Sequence, residues 1–512
     1  MDFNDIENLS PSEIWHYFKK VCAIPHISGH EQQLSQYLVD FAKANKLEYI
    51  IQDCGNVIIK KKSNHVSNKD NCPTVIIQAH IDMVGVHDNE INFDFLTMPI
   101  ETEITPDGYV KAKKTTLGAD NGIGVASILA ILANKFITIP NLIAIFTVAE
   151  ETSMLGVTQL NPDDLKDATY AINLDTEDMG EICLGCAGSS TYNITYTPRK
   201  KFIEQEYDIY KLEINNGLGG HSGIDIDKGQ MNVAAELLSV LDETNNEAIT
   251  IDNKIWCNFM SIKTGTVRNS IPSNGTLYFA IKKENAIKAI SMLKEKIHVK
   301  VFHYVENKKD PFLSYNIEKI ENSDDEIIID NMYSDEDTLE IVKLMNLNTK
   351  VIEYTPHETP LTSCNLGGIK TDNNGITTFS ALARYGNNSG KELIESKIEE
   401  LCNNINNSNI TEKSCYNFWE ANYESELAKI ATAEYFKLTG RSTKLTEIHA
   451  GLECGTLKQL NPNLEIISIG PNIKYPHTIN EKVNIDSVGL THLWLSSILT
   501  YIANINQKEN NY

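Results

Sequence analysis

Long apolar runs are absent from this 512-residue sequence. No stretch approaches the roughly 18–20 consecutive apolar residues that a membrane-spanning helix needs, so we predict no transmembrane segment. The first ten residues, MDFNDIENLS, are acidic and are not followed by an apolar run, which is not the pattern of a secretory signal peptide. We therefore expect a cytoplasmic location.

Positive charge is scarce relative to negative charge. The chain has 45 lysines and arginines against 69 acidic residues, which gives a formal net charge of −24. Such a surface repels nucleic acids and anionic lipids, so we expect neither nucleic acid nor membrane as a partner. Most of the acidic excess is explained by solubility, and part of it could hold cations.

A cysteine pattern is also missing. The ten cysteines are scattered, which suits a reducing compartment. Cys183 and Cys186 form the one close pair, and a structural zinc site would need a second pair. The cysteines therefore predict neither a disulfide framework nor a structural metal site.

The length indicates more than one domain, because 512 residues exceed the size of a single ordinary domain. The pattern of predicted strands and helices indicates the same. Buried strands alternate with helices over residues 1–199. Amphipathic strands mix with helices over 200–408, and the alternation of buried strands with helices returns over 409–512. We predict an α/β domain with a mixed sheet, interrupted by an inserted α+β domain. An acidic stretch at 324–337 in the insert predicts a solvated loop or helix start without an assigned function.

Three apolar runs, at 75–77, 142–148 and 170–174, predict buried strands that each end at charged or imidazole residues. Ligands of α/β sheets gather at the carboxyl ends of the strands. The candidate ligands there, together with one residue before a glycine-rich helix start and one in a C-terminal loop, are His80, Asp82, Asp120, Glu150, Glu151, Asp175 and His477.

Several carboxylates at one edge of a sheet repel one another unless they are protonated or bind cations. Imidazoles and carboxylates without cysteine suit a catalytic Zn²⁺, Mn²⁺ or Co²⁺ site. Because these groups exceed what one tetrahedral ion needs, two bridged ions would use them all. Taken singly, Asp120 could cap its helix, Glu150 and Glu151 could form a solvated strand end, and Asp175 could be a turn former. From the residues alone, the prediction is a metal hydrolase.

The strings IIQAHIDMVG, KTTLGADNGIGVA, FTVAEETSMLG and NLDTED resemble the co-catalytic di-zinc exopeptidase family. EICLGCAGSS, GLGGHSGIDID, IHAGLECG and SIGPNIKYPHTINEKVNIDSVG resemble its aminoacyl-histidine dipeptidase branch, peptidase D. The resemblance spans residues from about 10 to 505 and is weakest across 300–350. It implies a zinc-exopeptidase catalytic domain with an inserted lid or dimerisation domain, and a homodimer.

The resemblance also implies roles for the candidate ligands. Asp120 would bridge two Zn²⁺ ions (or Co²⁺ or Mn²⁺), with His80 and Asp175 on one ion and Glu151 and His477 on the other. Glu150 would be the general base for a metal-bridging water, and Asp82 would orient His80. Since adjacent residues on an extended strand point opposite ways, we expect one of the paired glutamates on metal and its neighbour elsewhere.

In the insert, the resemblance implies that His221 supports the oxyanion across a dimer or domain interface. Asn269 and Arg384 would bind the substrate carboxylate, His449 would line the specificity pocket, and the backbone around Gly451 would contact the substrate terminus. From the residues alone, His221 could be a turn histidine and Arg384 part of a surface ion pair. Glu453 and Cys454, in the same motif as His449, could serve packing only.

The function expected is therefore zinc-dependent hydrolysis of dipeptides, Xaa-His and other short unblocked peptides, by a metallo-dipeptidase. One alternative is a related aminoacylase or tripeptidase on the same scaffold, against which IHAGLECG argues. Another is a non-catalytic metal- or peptide-binding relative, whose mark would be loss of the base. Glu150 and every proposed ligand are present.

Overall fold

The computed structural model describes residues 5–64, 72–202, 206–320 and 331–505. The chain divides into two compact units. Unit 1 comprises 1–186, 419–447 and 452–512, and unit 2 comprises 187–418 and 448–451.

The described residues of the first part of unit 1 form six α-helices and eight strands. The helices are α1 (Ser12–Cys22), α2 (Gln32–Ala44), α3 (Ala119–Ala133), α4 (Glu150–Ser153), α5 (Leu155–Thr158) and α6 (Pro162–Leu165), and a 3₁₀ turn (Ile6–Asn8) precedes them. The strands are β1 (Glu48–Ile51), β2 (Val57–Lys61), β3 (Thr74–His80), β4 (Thr102–Ile104), β5 (Tyr109–Ala112), β6 (Asn141–Thr147), β7 (Tyr170–Asn173) and β8 (Glu181–Cys186). The three predicted buried strands are confirmed as β3, β6 and β7.

In unit 2, the residues that the structure describes form the next thirteen strands and four α-helices. The strands are β9 (Gly188–Tyr196), β10 (Lys200–Phe202), β11 (Tyr207–Asn215), β12 (Gly220–His221), β13 (Cys257–Thr264), β14 (Ser270–Ile271), β15 (Gly275–Lys282), β16 (Ser314–Lys319), β17 (Asn331–Tyr333), β18 (Lys350–Tyr354), β19 (Pro360–Thr371), β20 (Thr377–Tyr385) and β21 (Ser408–Tyr416). The helices are α7 (Val233–Asp252), α8 (Ala286–Glu306), α9 (Asp335–Ile341) and α10 (Asn388–Asn403), and a 3₁₀ helix (Val342–Leu347) follows α9.

The chain then returns to unit 1. Its last elements are α11 (Glu426–Thr439), β22 (Lys444–Ile448), α12 (Cys454–Leu460), β23 (Glu465–Ser468), β24 (Ile473–Lys474), β25 (Lys482–Asn484) and α13 (Ile485–Ala503). In the described part of the chain, none of the helices combines the length and the apolar character needed to cross a membrane.

The main sheet of unit 1 has eight strands in the order β1-β2-β6-β3-β7-β23-β8-β22. Its centre is parallel, because β3 pairs in parallel with β6 and β7, and β7 with β23. The outer pairs β1–β2, β2–β6 and β23–β8 are antiparallel. The sheet is therefore mixed, and the predicted α/β fold class is confirmed. A smaller sheet has the order β24-β25-β5-β4.

Unit 2 is built on a nine-stranded sheet in the order β16-β11-β15-β13-β19-β20-β9-β21, with β18 paired to β19. The side chains of α7, α8 and α10 form its core against this sheet. The chain passes from unit 1 to unit 2 between residues 186 and 187, and it returns to unit 1 between 418 and 419. The sequence predicts these boundaries at 199/200 and 408/409. The difference arises because β9 and β21 pair with each other and β9 with β20, so both strands belong to unit 2.

In the part of the acidic stretch that the structure describes, the predicted helix start is confirmed. Residues 321–330 lie outside the described residues, while Asp335 begins α9. Asp337 is buried and not solvated: its carboxylate accepts hydrogen bonds from the Tyr196 hydroxyl (2.7 Å) and the Arg199 backbone N–H (2.8 Å). This part of the stretch therefore stabilises unit 2.

Candidate metal and substrate sites

The candidate ligands of unit 1 lie at the carboxyl edge of the main sheet. β3 ends at His80, β6 leads into Glu150 and Glu151, and β7 leads into Asp175. Because β3 pairs in parallel with both β6 and β7, these strands bring the four side chains to the same edge. His477 comes from the turn between β24 and β25.

The Asp120 carboxylate lies between two imidazoles. Its Oδ1 is 3.0 Å from His80 Nε2, and its Oδ2 is 3.1 Å from His477 Nε2. Each imidazole has a second carboxylate neighbour: Asp175 Oδ1 is 3.4 Å from His80 Nε2, and Glu151 Oε1 is 2.8 Å from His477 Nε2. The five predicted ligands are thus together, arranged as two halves that share Asp120.

Asp120 does not cap a helix, as its alternative interpretation would require. Gly118 precedes the first residue of α3, and Asp120 itself has non-helical dihedrals (φ −83°, ψ 103°). Its side chain faces the two imidazoles instead of the backbone N–H groups of α3. One ligand atom each from His80, Asp120 and Glu151 lie within 4.8 Å of one another, a spacing that could hold a metal ion.

The electrostatics of this edge follow from burial and mutual repulsion. Burial and the nearby Asp120 carboxylate raise the pKa of Glu151 to about 7 and that of Glu177 to about 9. Burial alone would lower the pKa of His80, but the carboxylates of Asp175, Asp120 and Asp82 together raise it well above its ordinary value. Among the described residues, no lysine or arginine forms an ion pair with the five predicted ligands. This arrangement of carboxylates and imidazoles could hold cations.

The Asp82 carboxylate contacts both the end of β3 and the residues that follow β6. Its Oδ1 accepts from the backbone N–H of Glu150 (2.9 Å) and its Oδ2 from that of Glu151 (3.1 Å). Oδ2 also accepts from the Ser28 hydroxyl (2.7 Å), and Oδ1 lies 3.4 Å from His80 Nδ1. Asp82 can therefore orient one imidazole and the glutamate pair at once.

Our placement of Glu150 and Glu151 on an extended strand is wrong. β6 ends at Thr147, and Ala149 lies in the left-handed region (φ 54°). Glu150 and Glu151 are the first two residues of the helix α4. In a helix, adjacent side chains diverge by about 100° around the axis and not by 180°. Burial, followed by the effect of nearby carboxylates, raises the pKa of Glu150 well above its ordinary value although His80 opposes the shift.

A buried polar row beneath this edge was not anticipated. Gln78, Thr147, Asn173 and Ser468, on four neighbouring strands, are linked by hydrogen bonds between their side chains, either directly or through Glu453. Glu453 accepts from Thr147 Oγ1 (2.7 Å) and from Gln78 Nε2, so it does more than pack. The available signal was a polar residue near the end of each otherwise apolar strand, two positions before His80 in the case of Gln78.

Unit 2 assembles a second group of predicted residues. Arg384 Nη2 lies 3.2 Å from His221 Nε2, and the backbone N–H groups of Gly223 and Ile224 point at His221 Nδ1 (3.3 and 3.1 Å). These N–H groups favour the tautomer with hydrogen on Nε2, which places two donors, Nε2–H and the guanidinium, side by side. Such a pair suits an anionic group.

Arg384 is buried, which excludes its interpretation as part of a surface ion pair. Burial lowers its pKa to about 10, and among the described residues no carboxylate forms an ion pair with it. A buried guanidinium without a countercharge is costly. A carboxylate could therefore bind beside Arg384.

The remaining predicted residues of unit 2 are His449, Gly451 and Asn269. His449 is buried, and its Nε2 is 2.7 Å from the Ser363 hydroxyl; burial, then the charge of Arg384, lowers the pKa of His449 to about 3. Gly223 approaches so closely that an added Cβ would lie 2.1 Å from the His449 carbonyl oxygen. Gly451 belongs to the same short segment of unit 2. Asn269 is exposed, and its carbonyl accepts from the Ser222 N–H (2.8 Å) beside His221.

Comparison with known proteins identifies relatives over nearly the whole chain. The family model described as peptidase family M20/M25/M40 matches residues 76–500. The chain is 32% identical over 502 residues to the cytosol non-specific dipeptidase of Escherichia coli K12, which covers 96% of this chain and 97% of the relative. It is 30% identical, with a TM-score of 0.81, to the aminoacylhistidine dipeptidase structure from Vibrio alginolyticus, covering 97% of this chain and 98% of that one. The aminopeptidase PepT structure from Bacillus cereus, at 15% identity, 97% and 99% coverage and a TM-score of 0.55, shares the fold.

Proposed function

The chain belongs to peptidase family M20/M25/M40, and from this premise we propose that it is a metal-dependent dipeptidase that hydrolyses short unblocked peptides, Xaa-His dipeptides among them. The observation that carries the proposal is the Asp120 carboxylate between two imidazoles, each with a further carboxylate. The names of two relatives, a non-specific dipeptidase and an aminoacylhistidine dipeptidase, support the substrate class.

The donor set fits two divalent cations. Three carboxylates and two imidazoles converge there, and no described lysine or arginine pairs with them, so bound cations would relieve the repulsion. We propose that His80 and Asp175 hold one ion, Glu151 and His477 the other, and that Asp120 bridges them. Imidazole and carboxylate donors without thiolate suit Zn²⁺, with Co²⁺ or Mn²⁺ as substitutes. Bound ions of this kind act as Lewis acids toward water and a peptide carbonyl.

Glu150 is the residue that we assign to proton transfer. It accepts a proton from the attacking water and donates it to the departing amine, so the proton is returned within one turnover. Its backbone N–H is held by Asp82, which also lies against His80. Asp82 therefore fixes the position of Glu150 relative to His80. Glu151, the next residue, faces His477.

For unit 2 we propose that Arg384 binds the free carboxylate of the dipeptide. The support is its burial without a described countercharge and its position beside His221. An arginine suits this role because its planar fork pairs with both oxygens. His221 would donate from Nε2 to a substrate oxygen, the oxyanion in the family's pattern. Asn269, His449 and the backbone at Gly451 would contribute to the same substrate pocket.

We further propose a cytoplasmic homodimer. The name of the E. coli relative, a cytosol dipeptidase, supports the location, and the dimer follows from the resemblance described above. Light scattering during gel filtration would measure the mass of the particle against the 57.4 kDa of one chain.

Metal titration with a substrate panel tests the proposed function. Metal-depleted protein would be titrated with Zn²⁺ and assayed on an Xaa-His dipeptide, a tripeptide and an N-acylated amino acid. We expect activity to appear with metal and to be confined to unblocked dipeptides. A preference for tripeptides or acylated amino acids would reassign the substrate, and metal binding without any hydrolysis would indicate a non-catalytic relative.

A further inference from the structure

Glu481 is an almost fully buried glutamate, with 2% of its surface exposed, whose carboxylate accepts from four consecutive backbone N–H groups. Its Oε2 accepts from Leu117 (2.7 Å) and Gly118 (3.0 Å). Its Oε1 accepts from Ala119 (2.7 Å) and Asp120 (3.3 Å). Backbone N–H groups that converge in this way form a concave anion site, and here a side chain of the same chain fills it.

The segment held by Glu481 leads directly to Asp120. Gly118 is in the left-handed region (φ 70°), and a Cβ there would lie 2.9 Å from Met83 Sδ, so only glycine fits without a shift. The first N–H groups of a helix have no partner within the helix. Because Asp120 has non-helical dihedrals, its backbone is not set by the α3 ladder and needs another constraint. The Glu481 carboxylate supplies it.

Glu481 also constrains the turn that carries His477, four residues earlier. Its own N–H donates to the Thr478 carbonyl (3.1 Å), which closes the turn after His477. His477 has φ 59°, which is uncommon for a residue with a side chain. β25 starts directly after Glu481 and pairs with β5, so the position of the carboxylate is fixed by a sheet.

We infer that Glu481 is a positioning residue that fixes the Asp120 segment and the His477 turn relative to each other. One carboxylate bridges the loops that carry the shared ligand and the most exposed ligand of the cluster. The inference rests on the proposed function, since it assumes that these two residues hold cations. It adds that the spacing between Asp120 and His477 is set before any cation binds.

The test compares Glu481→Gln with the unaltered full-length protein. The amide replaces one of the two acceptor oxygens by an NH₂ group, which cannot accept from the pair of N–H groups facing it. Metal-depleted protein would be titrated with Co²⁺ and followed by its visible absorption spectrum. We expect the apparent Co²⁺ affinity to fall roughly 10- to 100-fold, as is typical when a group that orients metal ligands is lost. Activity on a dipeptide should recover as Co²⁺ is raised, with KM near that of the unaltered protein.

Glu434→Gln is the matched control. Glu434 is also a buried glutamate of unit 1 and lies on α11. Its carboxylate accepts from the Ser497 hydroxyl and from Lys437, and neither of these partners is a candidate ligand. Both substitutions should lower the melting temperature of the metal-depleted protein. Only Glu481→Gln should change the cobalt spectrum and the metal dependence of activity. If Glu481→Gln does not fold, Glu481→Asp, which keeps both oxygens, carries the same measurements with a smaller expected loss.

The outcomes distinguish the inference about Glu481 from the proposed function. An unaltered protein that binds Co²⁺ and hydrolyses dipeptides, beside a Glu481→Gln variant with the same Co²⁺ affinity and spectrum, would overturn the inference alone. Equal weakening of Co²⁺ binding in Glu434→Gln would also overturn it, since the effect would then be one of general stability. Failure of the unaltered protein to bind Co²⁺ or to hydrolyse dipeptides would overturn the proposed function itself.

Discussion

Replacing Arg384 with methionine tests the proposed recognition of the substrate carboxylate. The guanidinium is buried and, among the described residues, forms no ion pair with a carboxylate, so its removal leaves no unpaired charge in that part of the protein. A hydrogen bond to a charged group contributes about 1.5–3 kcal/mol, and 1.4 kcal/mol corresponds to a factor of ten. We therefore expect kcat/KM for a free dipeptide to fall roughly 10- to 100-fold for each hydrogen bond lost.

The assay compares each dipeptide with its C-terminal amide. The unaltered protein should prefer the free acid, and the Arg384→Met variant should lose most of this preference because it cannot distinguish a carboxylate from an amide. Arg199→Met is the control, since Arg199 is largely exposed and its ion pair with Glu336 spans 3.3 Å at the surface. An unchanged preference for the acid over the amide in Arg384→Met would refute the assignment.

Three further predictions concern the metal site and the stability of unit 2. Glu150→Gln should lower kcat by a factor on the order of 10²–10⁴ while the metal content, measured by elemental analysis, stays unchanged; loss of metal would show that Glu150 is a ligand. Asp120→Asn should lower the content of both ions, because each half of the cluster uses one Asp120 oxygen; retention of two tightly bound ions would contradict the bridge. The pKa of His449 is about 3 in the folded protein and 6.5 ordinarily. As pH falls, His449 is therefore protonated in the unfolded chain before it is protonated in the folded protein. The stability due to the neutral imidazole is lost as pH falls from about 6.5 toward 3. His449→Gln should therefore flatten the decline of melting temperature over this range, and a decline as steep as in the unaltered protein would contradict it.

The convergence of the candidate ligands was predictable because their placement follows from local rules. His80 and Asp175 come at or just after the ends of apolar runs, and the carboxyl ends of parallel strands meet at one edge of a sheet. The same rule does not fix the backbone after a strand ends. Glu150 and Glu151 therefore enter a helical turn that follows a left-handed residue, a detail that periodicity cannot indicate over so few residues.

The supporting groups were not predictable for a different reason. The partners of Glu481 are backbone N–H groups more than 360 residues away in sequence, and a backbone donor leaves no signature in residue type. Asp337 likewise looks like any acidic residue near a helix start, and only the tertiary fold places the Tyr196 hydroxyl against it. Burial of single polar residues is thus the property that sequence patterns convey least well.

Anomalous scattering at the zinc absorption edge, from crystals of the full chain grown with Zn²⁺, tests the central claim most directly. We expect two peaks about 3.5–4 Å apart. The Asp120 carboxylate should lie between them, with His80 and Asp175 at one peak and Glu151 and His477 at the other. No peak among these five side chains with zinc supplied, or zinc bound only elsewhere, would contradict it.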